Sequence, residues 1–118
     1  MCPEALARIS SSELASYIRG YAARVAPGSL NLLDFLIKAR FGVDAVTMFF
    51  KDSSTFFKVL EEVYDVKETA LFMLVSVFIK PMLIKLNKLD VLNEAVSLAI
   101  NDSSKFRKLL SDLGVDLS

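Results

Sequence analysis

An apolar run of fifteen residues, ALFMLVSVFIKPMLI at positions 70–84, constrains the fold of this chain more than any other feature. A membrane-spanning helix needs about 20 uninterrupted apolar residues, and Lys80 and Pro81 interrupt this run. We therefore predict no transmembrane segment, and instead a helix over residues 66–80 that is buried on most sides and ends or kinks near Lys80. The rest of the chain must supply the helices that cover it.

Apolar residues recur at spacings of three and four along the remaining sequence, and no segment alternates with a period of two for long enough to predict a strand. A chain of 118 residues fits a single domain, here 1–118. The fold class is therefore all-α, a compact helical bundle of about seven helices. Besides the central helix, the predicted helices cover 3–9, 11–25, 30–41, 44–50, 53–64, 80–89, 91–100 and 103–113.

Short oxygen-bearing side chains stand where most of these helices begin, and such side chains accept hydrogen bonds from the first free N–H groups of a helix. Two of these sites have a glutamate three residues later, which predicts a capping box. The predicted caps are Ser10 with Glu13, Ser29, Asp44, Asp52 or Ser53, Asp65 with Glu68, and Asp102.

Part of the sequence occurs twice at an offset of fifty residues. Residues 44–63, DAVTMFFKDSSTFFKVLEEV, share eight identities in twenty positions with residues 94–113, EAVSLAINDSSKFRKLLSDL. We predict two related three-helix units, 30–63 and 80–113, packed around the buried helix of segment 64–79, with the N-terminal helices of residues 1–29 lying outside both. Two units are too few for a solenoid, which needs at least about three.

The doubled serines of this repeat, in DSST and DSSK, raise the question of a chemical site. A nucleophilic serine needs a base, and the chain has no histidine, no G-x-S-x-G elbow and no S-x-x-K motif near these serines. Since both segments precede a new apolar period, we interpret Asp52 and Asp102 as helix caps.

Position 57 differs most informatively between the two copies, because Phe57 corresponds to Arg107. One explanation is that the N-terminal helix 11–25, which has no counterpart in the second copy, covers Phe57. The other is that Phe57 forms a partner surface together with Phe49 or Phe50. The sequence leaves both explanations open.

Motifs for catalysis and for cofactor binding are absent. The four glycines form neither G-x-x-x-x-G-K nor G-x-G-x-x-G, and without histidine, and with Cys2 as the one thiol, zinc has no ligand set. Glu61, Glu62 and Asp65 are interpreted as a solvated acidic face. We expect no catalytic residue, no cofactor and no metal, so the protein is predicted not to be an enzyme.

The formal net charge of the chain is zero, because fourteen basic and fourteen acidic residues cancel. A nucleic-acid partner is therefore not expected, nor is peripheral attachment to a membrane. Single-cysteine usage predicts a reducing, cytoplasmic setting. The basic residues that could still form a patch are Lys80, Lys85, Lys88, Lys105, Arg107 and Lys108.

The segments FGVDAV, KDSSTFFKVLEEVY and ETALFMLVSVFI, within residues 30–86, together resemble the small all-helical output domains of archaeal signalling proteins, the Nitrososphaera output domain type. What they share is a short helix, an Asp-capped helix with an F-x-x-x-L core and a strongly apolar final helix. The resemblance implies an interaction role and supplies no catalytic residue.

High apolar content, 53%, and nine phenylalanines predict a protein-protein interaction or oligomerisation module, either a homodimer or a domain with another protein partner. Two alternatives remain. One is a protein that binds a small apolar ligand in a pocket between the two units, lined by Phe and Met. The other is a nucleic-acid binder that uses the lysine clusters.

Overall fold

Seven helices account for most of residues 8–117, the part of the chain that the computed structural model describes. The all-α bundle is thereby confirmed. A short 3-10 turn, Leu89–Val91, precedes the sixth helix. The helices are α1 (Ser11–Val25), α2 (Pro27–Phe41), α3 (Ala45–Lys51), α4 (Ser53–Tyr64), α5 (the consecutive segments Lys67–Met73, Leu74–Ile79 and Lys80–Lys85), α6 (Leu92–Asn101) and α7 (Ser103–Asp112).

Four helix starts follow the predicted capping chemistry. The Ser10 hydroxyl accepts a hydrogen bond from the Glu13 N–H at 3.0 Å, and Asp44 accepts one from the Thr47 N–H at 2.9 Å. Asp52 and Asp102 cap α4 and α7 in the same way. These caps depend on local sequence alone, which is why the sequence predicts them.

The predicted caps at Ser29 and Asp65 are wrong. Helix α2 already begins at Pro27, whose fixed φ suits the first turn, so Ser29 lies inside the helix. Asp65 ends α4 rather than beginning α5: its φ of 59° is left-handed, a conformation that Asp tolerates better than most residues. Helix α5 instead starts at Lys67, behind Val66, without a side-chain cap.

The central helix passes through Pro81 instead of ending near Lys80. The segment Leu74–Ile79 just before the proline is a π-helix, and the Lys80 N–H bonds to the Val75 carbonyl five residues earlier. In a regular α-helix the proline ring would clash with the carbonyl four residues back. We attribute the wider turn to this proline, and it lets the helix continue to Lys85.

Two short strands close the ends of the described chain, although the sequence predicts none. Ile9–Ser10 pairs in parallel with Val115–Asp116, and the Ile9 N–H donates to the Gly114 carbonyl at 2.9 Å. Strands of two residues are too short to show alternation. Ile9 is therefore not helical as predicted, and the remainder of the predicted helix 3–9, except Arg8, lies outside the described residues, as does Cys2.

A cluster of phenylalanine rings forms the centre of the core. Phe49 of α3 packs against Phe56 of α4, Phe78 of α5 and Phe106 of α7, with ring centroids 5.5–5.7 Å apart. Phe56 and Phe78 also meet edge to face at 4.8 Å. Such tilted pairs add about 0.5–1.5 kcal/mol each beyond the area they bury. One side chain, Phe49, thus links four helices.

The two predicted units share their last two helices but not their first. In the first unit that helix is α2, fifteen residues long. In the second, the corresponding residues Lys80–Lys85 continue α5. The internal duplication stays a prediction that rests on the sequence repeat. No helix within residues 8–117 is long and apolar enough to cross a membrane.

Candidate functional site

The phenylalanines predicted as a partner surface are in the core. Phe49, Phe50 and Phe57 are 0%, 6% and 3% exposed, so they offer almost no surface to a protein partner. The interface prediction is wrong for these three residues. Helix α4 places Phe56, Phe57 and Leu60 on one inward face, and the apolar spacing that suggested a surface is core packing.

Phe57 is covered, at 3% exposure, by the bundle around it. Helix α4, which carries Phe57, packs mainly against α3, α5 and α6, with smaller contacts to α2 and α7. Helix α1, residues 11–25, is not among these neighbours. That Phe57 is covered is confirmed, while the predicted cover by the N-terminal helix stays a prediction.

The two aspartate-serine segments are matching helix junctions. Asp52 and Asp102 have nearly the same backbone angles, φ −151° and ψ 83° against φ −154° and ψ 87°. Each carboxylate accepts the N–H three residues on at 3.2 Å, from Thr55 and Lys105. Asp52 also accepts from the Thr55 hydroxyl at 2.8 Å.

Each junction is also tied to the other half of the repeat. The Ser53 hydroxyl, buried at 1% exposure, donates to the Ala99 carbonyl at 2.8 Å, near the end of α6. In the opposite direction, Arg107 donates to the Phe50 carbonyl at 2.8 Å, near the end of α3. Last-turn carbonyls of a helix lack partners within it. Each repeated segment thus donates a hydrogen bond to a carbonyl group near the end of a helix in the other copy.

The pKa of Asp52 reflects the hydrogen bonds at this junction. Burial alone would raise its pKa, but hydrogen bonds from Thr55 and Ser103 outweigh burial and hold the pKa of Asp52 below its ordinary 3.8. The ionised form is the one that the junction uses. These contacts support the architectural interpretation of the doubled serines.

Space between the two repeated helix pairs is filled rather than hollow. The predicted ligand pocket lined by Phe and Met would lie where Phe49, Phe56 and Phe106 pack together. Two grooves on the described chain are lined by other residues, and of the buried phenylalanines only Phe50 borders one of them. Neither groove is the predicted apolar pocket between the two units.

Helix α2 presents apolar side chains to solvent as well as to the core. Leu30, Leu33 and Ile37 are buried, whereas Phe35 is 71% and Leu32 45% exposed. A helix with apolar residues on both faces has an unpartnered face in the single chain. We name this surface the outer face of α2; it consists of the exposed residues Gly28, Leu32, Phe35 and Ala39.

A groove of about 540 Å³ lies where α1, α3 and α7 meet. Three cationic side chains and four hydroxyl groups border it, and its lining includes no carboxylate. We call it the basic groove; its lining residues are Ser11, Ser12, Ala15, Ser16, Arg19, Thr47, Phe50, Lys51, Arg107 and Leu117.

Arg19 is held at the edge of the basic groove by two carboxylates. Its Nη2 donates to Asp34 Oδ2 at 2.7 Å, and its Nη1 donates to Asp34 Oδ1 at 3.2 Å and to Asp44 Oδ2 at 3.3 Å. Asp34 also accepts from the Ala45 N–H at 2.8 Å, so α1, α2 and α3 are joined at one point.

The pKa values of Arg19 and Asp34 both move in the direction that favours their charged forms. Hydrogen bonding to Asp34 raises the pKa of Arg19 and outweighs the opposing effect of burial. Burial would raise the pKa of Asp34, but the bonds from Arg19 and Ala45 hold that pKa below its ordinary 3.8. Arg19 and Asp34 therefore stay ionised at neutral pH.

A second, smaller groove of about 280 Å³ borders the π-helical segment. Tyr17, Tyr21, Ser76, Lys80, Pro81 and Ile84 line it. The Lys85 ammonium lies 5.4 Å from the Tyr17 ring centroid, within the range of a cation–π contact. Among the predicted basic residues, Lys80 borders this groove and Arg107 borders the basic groove, so these two do not share a site.

The predicted acidic face has no metal-binding geometry. Glu62 pairs with Arg40 at 2.7 Å on the surface, and Asp65 ends a helix. Within residues 8–117, no three acidic, Cys or His side chains come together as metal ligands. Comparison of the chain with protein-family models, with curated proteins and with solved structures gives no match.

Sequence reasoning missed Arg19 and Asp34. Asp34 does carry a signal, because it is the one charged residue in the apolar run LNLLDFLI, and an isolated charge on a buried helix needs a partner. Arg19 carries no such signal, because its partner Asp34 lies fifteen positions further on, in the next helix.

Proposed function

We propose that this protein is an interaction module that forms a homodimer through the outer face of α2. The observation that carries the proposal is the exposure of Phe35, at 71% the most exposed large apolar side chain of the described chain. Opposite it on the same helix, Leu33 and Ile37 are completely buried. The helix is therefore fixed on one side and free on the other.

The spacing of the outer face supports a second copy of the chain as the partner. Gly28, Leu32, Phe35 and Ala39 are separated by four, three and four residues, a spacing that reads the same in both directions. Two copies of α2 packed antiparallel about a two-fold axis would set Leu32 against Phe35 and Gly28 against Ala39. A two-fold interface requires such self-complementarity.

Side-chain chemistry on this face is compatible with that pairing. The four residues carry no charge, so no like charges oppose each other across the axis. The small residues Gly28 and Ala39 at the two ends allow the helices to approach within the usual 8–10 Å. Leu32 and Phe35 then supply the apolar area that leaves water.

The expected dimer is weak. Fifteen residues of helix extend about 22 Å, and one helix face of that length offers less than the roughly 800 Å² per partner of a stable interface. We therefore expect reversible association with a dissociation constant in the micromolar range.

Light scattering across a concentration series measures the molar mass and thereby tests the proposal. The native chain is expected to rise from 13.1 kDa towards twice that mass, and Phe35→Glu to stay monomeric with an unchanged circular dichroism spectrum. The matched control is Phe72→Glu, since Phe72 is a comparably exposed phenylalanine, 63%, on α5; this variant is expected to dimerise. A native chain that stays monomeric to millimolar concentration, or a Phe72→Glu variant that alone loses association, overturns the proposal.

A further inference from the structure

We propose that the basic groove binds a small molecule that carries a phosphate monoester, in addition to and independently of self-association through α2. The groove lies where α1, α3 and α7 meet, and none of its lining residues belongs to the outer face of α2. Its volume of about 540 Å³ falls within the roughly 300–1,000 Å³ of small-molecule sites.

Charge at the groove matches a dianion. Asp34 and Asp44 offset the charge of Arg19, which leaves Lys51 and Arg107 as lining cations with no carboxylate partner among the described residues. A phosphate monoester carries about −1.5 to −2 charges at pH 7. The two cations and the ligand would therefore neutralise each other.

The arginines are held in position before any ligand arrives. Arg107 uses its Nη1 to bind the Phe50 carbonyl, and Arg19 is fixed by Asp34 and Asp44. A guanidinium has five N–H donors, so Arg107 keeps donors that no described residue accepts. Ordering such side chains in advance lowers the entropy that binding would otherwise cost.

Hydroxyl groups favour a phosphate over a carboxylate. Ser11, Ser12, Ser16 and Thr47 border the groove, and their hydroxyls make no hydrogen bond to any described residue. A phosphate monoester offers three terminal acceptor oxygens, one more than a carboxylate. Four free donors and two cations suit the larger acceptor.

Apolar residues on the same lining indicate an organic body on the ligand. Ala15, Phe50 and Leu117 border the groove beside the polar groups. Apolar contacts would add affinity that a bare phosphate ion cannot obtain. Phenyl phosphate is therefore expected to bind more tightly than inorganic phosphate.

Titration of the full chain with phenyl phosphate, followed by ¹H–¹⁵N NMR, tests the proposal. We expect saturable shifts of the Ser11, Ser12 and Thr47 amides, and a dissociation constant at least tenfold higher in Lys51→Met. The matched control is Lys108→Met, which removes the same charge from an exposed residue of α7 that does not line the groove. Its dissociation constant is expected to change less than twofold.

Three results would overturn the proposal. One is the absence of saturable shifts. Another is equal weakening by Lys51→Met and Lys108→Met, which would indicate general charge attraction. The third is binding to vesicles that contain phosphatidic acid without saturable binding of phenyl phosphate, which would indicate a lipid surface. Phe35→Glu is expected to bind phenyl phosphate like the native chain, so this test does not depend on dimer formation.

Discussion

The helix pairs α3–α4 and α6–α7 turn alike at their junctions and differ in what fills the space beside them. Asp52 and Asp102 agree within a few degrees in φ and ψ. At the neighbouring positions, however, Phe49 corresponds to Ala99, and Phe57 corresponds to Arg107. At these two positions the first pair supplies large buried rings, and the second supplies a small buried residue and a half-buried cation.

This difference shows which part of a repeated segment sets the backbone and which part is free to change. Junction geometry depends on an aspartate that bonds its own helix start, and both copies keep it. Side-chain volume depends on the neighbours across the core. Ala99 and Phe49 are both completely buried, so two very different volumes fit equivalent backbone positions in one bundle.

Exchange of the residues at positions 57 and 107 is expected to have the largest effect on the free energy of unfolding. Phe57→Arg gives the first copy the residue of the second, but it places a cation without a partner in the core. We expect a loss of at least about 4 kcal/mol in the free energy of unfolding, measured by urea denaturation. Arg107→Phe, the reverse exchange, removes the bond to the Phe50 carbonyl and is expected to cost about 1.5–3 kcal/mol. Equal costs for the two exchanges would mean that positions 57 and 107 have the same environment.

Removal of the serine hydroxyls that donate to the Ala99 carbonyl is expected to have an intermediate effect on stability. Ser53 and Ser54 both donate to the Ala99 carbonyl, at 2.8 and 3.3 Å, so the double change Ser53→Ala, Ser54→Ala leaves that carbonyl without these donors. We expect a loss of about 1–3 kcal/mol by thermal or urea unfolding. The corresponding change Ser103→Ala, Ser104→Ala affects more exposed residues and is expected to cost less. A larger loss of stability for the Ser103→Ala, Ser104→Ala variant would mean that the serines of the second junction, and not those of the first, are the more important for the fold.

Cap removal has the smallest effect. Asp52→Ala and Asp102→Ala each lose a helix cap worth about 1 kcal/mol. Asp52→Ala is expected to cost more, because Asp52 also accepts from Thr55 Oγ1. Melting temperatures of the two variants at pH 7 give the comparison, and a neutral shift in both would refute the cap interpretation.

The dependence of stability on acid pH tests the contribution of the Asp52 carboxylate. The folded-state pKa of Asp52 is lower than its ordinary 3.8, so its contribution to stability is complete above that value and is lost as the pH falls through the folded pKa. The stability difference between the native chain and Asp52→Ala should therefore shrink as the pH falls below about 3.8. A constant difference down to pH 2 would contradict this linkage.

Local signals in the sequence were sufficient for most of the helices and for most caps, because a cap such as Asp102 acts within three residues. They failed where two local solutions compete, as at Asp65, which could begin one helix or end another. They also failed where contacts join distant residues: Arg107 and Phe50 are 57 positions apart. On α2, Leu32 and Leu33 look alike in sequence, and only the packed bundle shows which of them is exposed.

The aspartate-serine segments build the fold, and in our proposal the outer face of α2 carries the interaction. Molar mass across a concentration series separates these roles when the double variant Asp52→Ala, Asp102→Ala is compared with Phe35→Glu at a temperature where both are folded. We predict that the double variant still dimerises despite its lower stability, and that Phe35→Glu is monomeric at native stability. A folded double variant that is monomeric, beside a Phe35→Glu variant that dimerises, would contradict both assignments.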